Sequence, residues 1–206
     1  MSVDSYDFAE ARGRVPNAPA LILFHGTGGD ETQFLDLAAD LLPGARRIAP
    51  RGDVSENGAL RYFKRHAEGM FDMDDLKRAT TKMAAFVRER TAAQQPERTI
   101  GLGYSNGANI LASVQFEAPE LFDTAVLLHP LIPFEPTPQA GLKDKRVLIT
   151  AGRRDPICPA SETQRLADWY GAQGAEIELF WHDGGHEIRP EELVRITEFL
   201  APLAVR

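Results

Sequence analysis

The sequence predicts an α/β domain built on a doubly wound, mostly parallel sheet with helices on both faces. Short apolar runs alternate with amphipathic stretches of helical period along most of the chain. Runs such as Ala20-Leu21-Ile22-Leu23-Phe24 are continuously apolar, as expected of strands covered on both sides. At 206 residues and 43% hydrophobic, the chain fits one globular domain over 1–206 with a substantial core.

In order, residues 6–11 read as an antiparallel edge strand, and 20–24 as the first buried strand. A glycine-rich loop follows, then a helix over about 31–42 that Pro43-Gly44 ends. Arg47-Ile48-Ala49 is a short strand closed by Pro50. Residues 51–73 are irregular, rich in glycine and charge and punctuated by aromatics. Asp74 and Asp75 open a helix with Leu76, Ala79, Met83, Phe86 and Val87 close to helical period. A strand from Thr99 turns at residues 103–107 into an apolar helix over 108–116. Strands at 125–128 and 146–150, a helix over about 161–173 and a strand at 177–181 come next. Pro190 starts the last helix, with Leu193, Ile196 and Leu200 on one face. No insertion after residue 128 is long enough for a separate cap domain.

A net charge of -7 argues against nucleic acid as a principal partner. The first seven residues are polar and acidic, unlike a signal peptide, and no apolar stretch reaches the roughly 18 residues of a membrane span. The single Cys158 cannot form an intramolecular disulfide, which fits a reducing cytoplasm, the expected location. Cys158 itself reads as a small buried packing residue near Asp155.

The chemistry concentrates at Gly103-Tyr104-Ser105-Asn106-Gly107. A strand entering and a helix leaving make this a nucleophile elbow, with Ser105 at its apex and glycines where a side chain would clash. A serine hydroxyl needs a base, and the base needs an orienting acid. In a doubly wound sheet the site lies beyond the carboxyl ends of the strands. Of the five histidines, His25, His66, His129, His182 and His186, that rule selects His186, in the Asp183-Gly184-Gly185-His186 loop after the last strand. His182 ends the strand itself, and His25 is placed to brace the glycine-rich loop. Asp155 follows the strand ending at Thr150 and supplies the acid. Oxyanion donors are expected from the N–H of Asn106 and of Thr27, the latter in His25-Gly26-Thr27-Gly28-Gly29. That glycine loop lacks both the Walker lysine and the G-x-G-x-x-G spacing of phosphate-binding loops.

With these landmarks in this order, the chain resembles an α/β-hydrolase. More narrowly, it resembles the small carboxylesterase/phospholipase family that includes acyl-protein thioesterases. Arg51-Gly52-Asp53-Val54-Ser55-Glu56-Asn57-Gly58, with Phe63 and Ala67-Glu68-Gly69-Met70-Phe71-Asp72, is similar to a bacterial branch of MhqD-type hydrolases. The resemblance implies Ser105, Asp155 and His186 as a triad and Thr27 and Asn106 as oxyanion donors. Thioesterase and esterase members commonly carry glutamine after the nucleophile, where this chain has Asn106. Dienelactone hydrolase, another relative, carries cysteine at the elbow, and Ser105 sets this chain apart from that subtype.

The expected activity is a serine carboxylesterase acting on a small-molecule ester with short acyl or aryl groups. A thioesterase or lysophospholipase on the same triad is the alternative, with a non-catalytic ligand-binding scaffold behind it. Residues 51–73 would wall a shallow cleft: Tyr62, Phe63 and Phe71 offer apolar surface, and Arg61, Lys64 and Arg65 a cationic rim. Phe63 and Phe71 suit pocket or core equally; Leu131, Ile132 and Phe134 are further lining candidates. No metal or organic cofactor is called for, and the resemblance allows a homodimer.

Overall fold

The apolar runs pair side by side because each is long enough to bury a full strand and too short for a helix. The computed structural model describes residues 5–92 and 95–204; of the polar start, residues 1–4 lie outside them. Along the chain run β1 (Phe8–Ala11), β2 (Ala20–Phe24), α1 (Leu35–Leu41) and β3 (Arg46–Pro50). Four short strands follow: β4 (Val54–Glu56), β5 (Ala59–Arg61), β6 (Arg65–Ala67) and β7 (Met70–Phe71). Then come α2 (Met73–Ala92), β8 (Thr99–Tyr104), α3 (Asn106–Glu117) and β9 (Thr124–Leu128). The chain continues through β10 (Arg146–Gly152), α4 (Ala160–Ala172), β11 (Glu176–His182) and α5 (Pro190–Leu200).

Among the described residues, seven strands form the central sheet in the order β1-β3-β2-β8-β9-β10-β11. Only β1 runs antiparallel, against β3, as its edge position predicts. From β2 the chain goes one way to β3 and then returns across to β8. The order therefore reverses between β2 and β8, and a crevice opens there at the strands' carboxyl ends. Phe24 pairs with Gly103 at that point, so the loops after β2 and β8 face each other.

Side chains on β2 alternate between two cores. Ala20, Ile22 and Phe24 pack with α2, α3 and α4, whereas Leu21 and Leu23 pack with α1 and α5. α3 is buried from Asn106 to Gln115, which explains why its sequence is apolar nearly all round. α2 buries one stripe, Leu76, Ala79, Met83, Phe86 and Val87. Its start is fixed by Asp72, whose Oδ1 accepts the Asp75 N–H at 3.0 Å.

Two expectations need correction. The helix predicted over 31–42 begins only at Leu35. Asp30 Oδ1 accepts the N–H and hydroxyl of Thr32 at 2.8 and 2.6 Å, a local turn that competes with helical hydrogen bonding. The irregular stretch 51–73 forms two antiparallel hairpins, β4–β5 and β6–β7. Asn57 and Gly58 adopt φ of 52° and 92°, the left-handed pair that a tight two-residue hairpin requires.

α3 packs against the sheet with no room to spare at Gly107. A Cβ on Gly107 would stand 2.2 Å from the Phe24 carbonyl oxygen and 2.5 Å from that of His25. Both are backbone atoms and neither can yield. Gly107→Ala should cost about 2 kcal/mol or more in urea unfolding; unchanged stability would show that α3 is free to move away.

Candidate active site

Four adjacent parallel strands each deliver one polar side chain at the carboxyl end of the sheet. Ser105 follows β8, His129 follows β9, Asp155 lies beyond β10 and His186 beyond β11. Ser105 has φ 52° and donates its N–H to Leu128 O at 2.9 Å, so its strained backbone is anchored to the neighbouring strand. Gly103 permits this turn: a Cβ there would meet Gly107 O at 2.5 Å.

The structure brings the three predicted residues together. Ser105 Oγ lies 2.9 Å from His186 Nε2, and His186 Nδ1 lies 2.7 Å from Asp155 Oδ2. The two loops carrying the acid and the base are stitched by backbone bonds, Arg153 N–H to His182 O at 2.8 Å and Arg154 N–H to Gly184 O at 2.9 Å. They touch so closely that a Cβ on Gly152 would lie 2.1 Å from Gly185 O. Tyr104 donates its hydroxyl to the His186 carbonyl, fixing the loop from the elbow side. Burial and nearby negative charge, chiefly Asp155, push that phenol up to about 12, so it remains a donor.

Asp155 Oδ1 accepts the N–H groups of Ile157 and Cys158 at 2.8 and 2.9 Å. Burial pushes its carboxyl up, but the hydrogen bonds from His129, His186 and these amides outweigh burial. Its pKa lies well below the ordinary carboxylate range. The His129 contact, Nδ1 to Asp155 Oδ2 at 2.9 Å, involves a histidine that the sequence analysis left unassigned. The positional signal was present, since His129 stands directly after an apolar strand, like the residues that were chosen.

The predicted oxyanion donors flank the same cavity. Asn106 is the first residue of α3, so its N–H has no partner within the helix. In the 26–29 loop, Gly26 N–H is taken by Gln33 Oε1 at 2.8 Å, Gly28 N–H by Leu60 O at 3.0 Å and Gly29 N–H by Gly26 O at 3.0 Å. The Thr27 N–H donates to no other described residue. His25 braces this loop as expected, with Nδ1 on Gly26 O at 2.8 Å and Nε2 accepting the Gly52 N–H at 2.8 Å.

The β4–β5 hairpin holds both donor residues, a role that sequence reasoning missed. Buried Arg61 donates from Nη1 to Thr27 Oγ1 at 2.9 Å, and Tyr62 N–H donates to Asn106 Oδ1 at 2.8 Å. That bond fixes the Asn106 amide, leaving Nδ2 buried with no partner among the described residues. Arg61 is therefore a brace on the oxyanion loop as well as part of the cavity wall.

The cavity measures about 270 Å³ and is lined by Thr27, Arg61, Phe71, Asn109, Leu131 and Ile157 around Ser105 and His186. Phe71 and Leu131 thus stand where a pocket wall was predicted. Phe63 and Ile132 do not line it, which corrects their assignment as pocket residues. Phe63 is wholly buried and packs edge-on against Phe71 at 4.8 Å; Ile132 points into the core shared with α3 and α4. Cys158 reaches the cavity, where its thiol donates to His129 O at 3.3 Å.

Among the described residues, two groups have metal-like spacing, His129–Asp155–His186 and His129–His182–Glu192. Each offers atoms already joined by hydrogen bonds to other members of its cluster, an arrangement that holds protons rather than an ion. No described helix is long and apolar enough to cross a membrane.

The parallel sheet with its reversal at β2/β8, the serine turn and the acid and base loops after later strands define an α/β-hydrolase. Residues 11–187 match the dienelactone hydrolase family, and the chain belongs to that family. It is 38% identical over 181 residues to MhqD of Bacillus subtilis (strain 168), covering 87% of this chain and 90% of that protein. A carboxylesterase of Bacillus cereus superposes with a TM-score of 0.92 at 35% identity, over 98% of this chain and 96% of that one. The protein Atu2452 of Agrobacterium tumefaciens str. C58, of unknown function, gives 0.92 at 53% identity, over 99% and 100%. The chain is thus a hydrolase of the dienelactone hydrolase and carboxylesterase type, with serine at the elbow where the sequence analysis expects cysteine in dienelactone hydrolase itself.

Burial, aided by the negative charge of Asp155, pushes the Cys158 thiol far above its ordinary range. A disulfide reagent at mildly alkaline pH should leave it unmodified in the folded protein and react fully in denaturant. Rapid reaction of the native protein would contradict this placement.

Proposed function

We propose that the chain is a serine carboxylesterase that cleaves small carboxylic esters through an acyl-enzyme on Ser105. One observation carries the reading: Ser105 Oγ, His186 and Asp155 form a continuous hydrogen-bonded line, at 2.9 and 2.7 Å, beside two N–H groups available to an oxyanion.

In the first half-reaction Ser105 Oγ attacks the ester carbonyl carbon as its proton passes to His186 Nε2. The carbonyl oxygen becomes an oxyanion, received by the N–H groups of Thr27 and Asn106; each such donor is typically worth about 2.7–4 kcal/mol in the transition state. The tetrahedral adduct collapses, its carbon–oxygen bond breaks, and His186 returns the proton to the leaving alcohol. Water then attacks the acyl-enzyme with His186 again taking the proton, which goes back to Ser105 as the acid leaves. Asp155 stays ionised throughout, holding His186 with Nδ1–H toward itself and Nε2 toward the serine.

A cavity of about 270 Å³ lies below the usual range of drug-sized ligand sites, which favours short acyl and aryl groups over long chains. MhqD and the Bacillus cereus carboxylesterase support the same reaction class.

A fluorophosphonate should add one adduct mass to the folded protein, on Ser105, and short aryl esters should turn over faster than acyl thioesters or lysophospholipids. Ser105→Ala should lose the adduct and lower kcat by about 10⁴-fold or more with the fold retained. An unlabelled protein that turns over none of these substrates, or a Ser105→Ala variant with undiminished turnover, would defeat the proposal.

A further inference from the structure

We propose that His129 is held as an imidazolium between Asp155 and Glu192, and that this buried cation is a positioning residue that governs the acid limb of hydrolysis. The kinetic half rests on the esterase reading above. The charge state stands on its own.

Counting protons gives the charge. Asp155 Oδ1 is taken by two backbone N–H groups, and Oδ2 faces Nδ1 of both His186 and His129, at 2.7 and 2.9 Å. Glu192, in the first turn of α5, is equally loaded. Its Oε1 accepts the Thr150 hydroxyl at 2.6 Å and faces His129 Nε2 at 3.1 Å. Its Oε2 accepts the Arg189 N–H at 2.6 Å and faces His182 Nε2 at 3.3 Å. His182 Nδ1 accepts the Gly184 N–H at 3.0 Å, which leaves its Nε2 as the donor, 3.3 Å from Glu192 Oε2 and 3.4 Å from His129 Nε2. Each carboxylate oxygen thus faces at least one donor other than His129, and Asp155 and Glu192 are both held ionised. Each ring nitrogen of His129 faces one of these carboxylates, and a histidine that donates to both is cationic.

The surroundings agree. The side chains of His129, Asp155 and Glu192 have no solvent exposure, so none of the three charges is balanced by water. The other titratable groups facing His129 are the Cys158 thiol on its carbonyl, the Tyr104 ring at 5.9 Å and the rings of His182 and His186, each at 5.2 Å. Cys158 and Tyr104 are both pushed up and stay neutral, which leaves the two carboxylates as the counter-charges. Burial alone would push the His129 imidazole down, but the hydrogen bonds and charges of Asp155 and Glu192 raise it to about 9. His129 also has φ 50° directly before Pro130, a strained backbone beside the strained Ser105.

A fixed cation 5.2 Å from the His186 ring opposes a second positive charge there. It also pins the Asp155 oxygen that orients His186. His129→Gln keeps an N–H donor for Asp155 and removes the charge; Glu192→Gln removes the counter-charge that holds the proton on His129.

The test has two arms. In nitrogen NMR of the wild-type side chains, His129 should show both ring nitrogens protonated at and above neutral pH. In the kinetic arm, with a short aryl ester, His129→Gln should move the acid limb of kcat/KM to higher pH by about one unit, with KM little changed, while Glu192→Gln, read by NMR, should lower the pH at which His129 gives up its proton. Stability gives the same sign: the folded value lies above the ordinary 6.5, so the stabilisation is complete below 6.5 and lost as pH rises through about 9. The wild type should therefore lose more Tm over that range than His129→Gln. A neutral His129 at neutral pH, or a folded His129→Gln whose acid limb stays in place, would overturn the proposal. A wild-type protein without esterase activity would remove the esterase reading and the kinetic role together, while NMR still decides the charge.

Discussion

The contact between Gly107 and the carbonyl groups of Phe24 and His25 is the constraint on which the site depends. It brings the start of α3 against the ends of β2 and β8, where the strand order reverses. Once α3 is this close, the chain leaving β8 has no room to turn gently. Ser105 absorbs the turn with φ 52°, its hydroxyl directed away from the sheet and its N–H tied to β9. The same approach places the first N–H of α3 opposite the 26–29 loop. The placement of Ser105 and of the Thr27 and Asn106 N–H groups is thus a consequence of one packing decision, made by residues without side chains.

Asp155 and His186 are fixed by a second close approach, between the loops after β10 and β11 at Gly152 and Gly185. Behind it lies a buried layer of charge, Asp155, His129 and Glu192, each hydrogen-bonded on every face. Such a layer stabilises little in net terms, because the desolvation of its members offsets most of their attraction. What it provides is position, since a misplaced member would leave its neighbours' buried charge without a partner. The β4–β5 hairpin does the corresponding work on the other side of Ser105, where Arg61 and Tyr62 hold Thr27 and Asn106.

Much of this was readable in the sequence. Continuous apolar runs such as 20–24 and 125–128 declare strands buried on both faces, and their alternation with amphipathic helices declares the parallel sheet. Ser105, Asp155 and His186 were legible because each follows such a run, and the strand ends converge in space. The β4–β5 hairpin was harder: Val54-Ser55-Glu56 and Ala59-Leu60-Arg61 are too short and polar to show alternation, so only Asn57-Gly58 marks it. Phe63 could not be separated from Phe71 by pattern, because the local turn decides which ring faces the cavity. Glu192 was silent for another reason: it reaches Asp155 only through His129, and a residue that acts through another carries no motif of its own. His129 did carry a signal, its place directly after an apolar strand.

The most direct test of the whole account is a crystal structure of the protein after reaction with a small aryl phosphonate. The account predicts phosphorus bonded to Ser105 Oγ, with one phosphoryl oxygen within hydrogen-bond reach of the Thr27 and Asn106 N–H groups. His186 should remain between the adduct and Asp155. Phosphorus on another residue, or a phosphoryl oxygen turned away from both N–H groups, would contradict it.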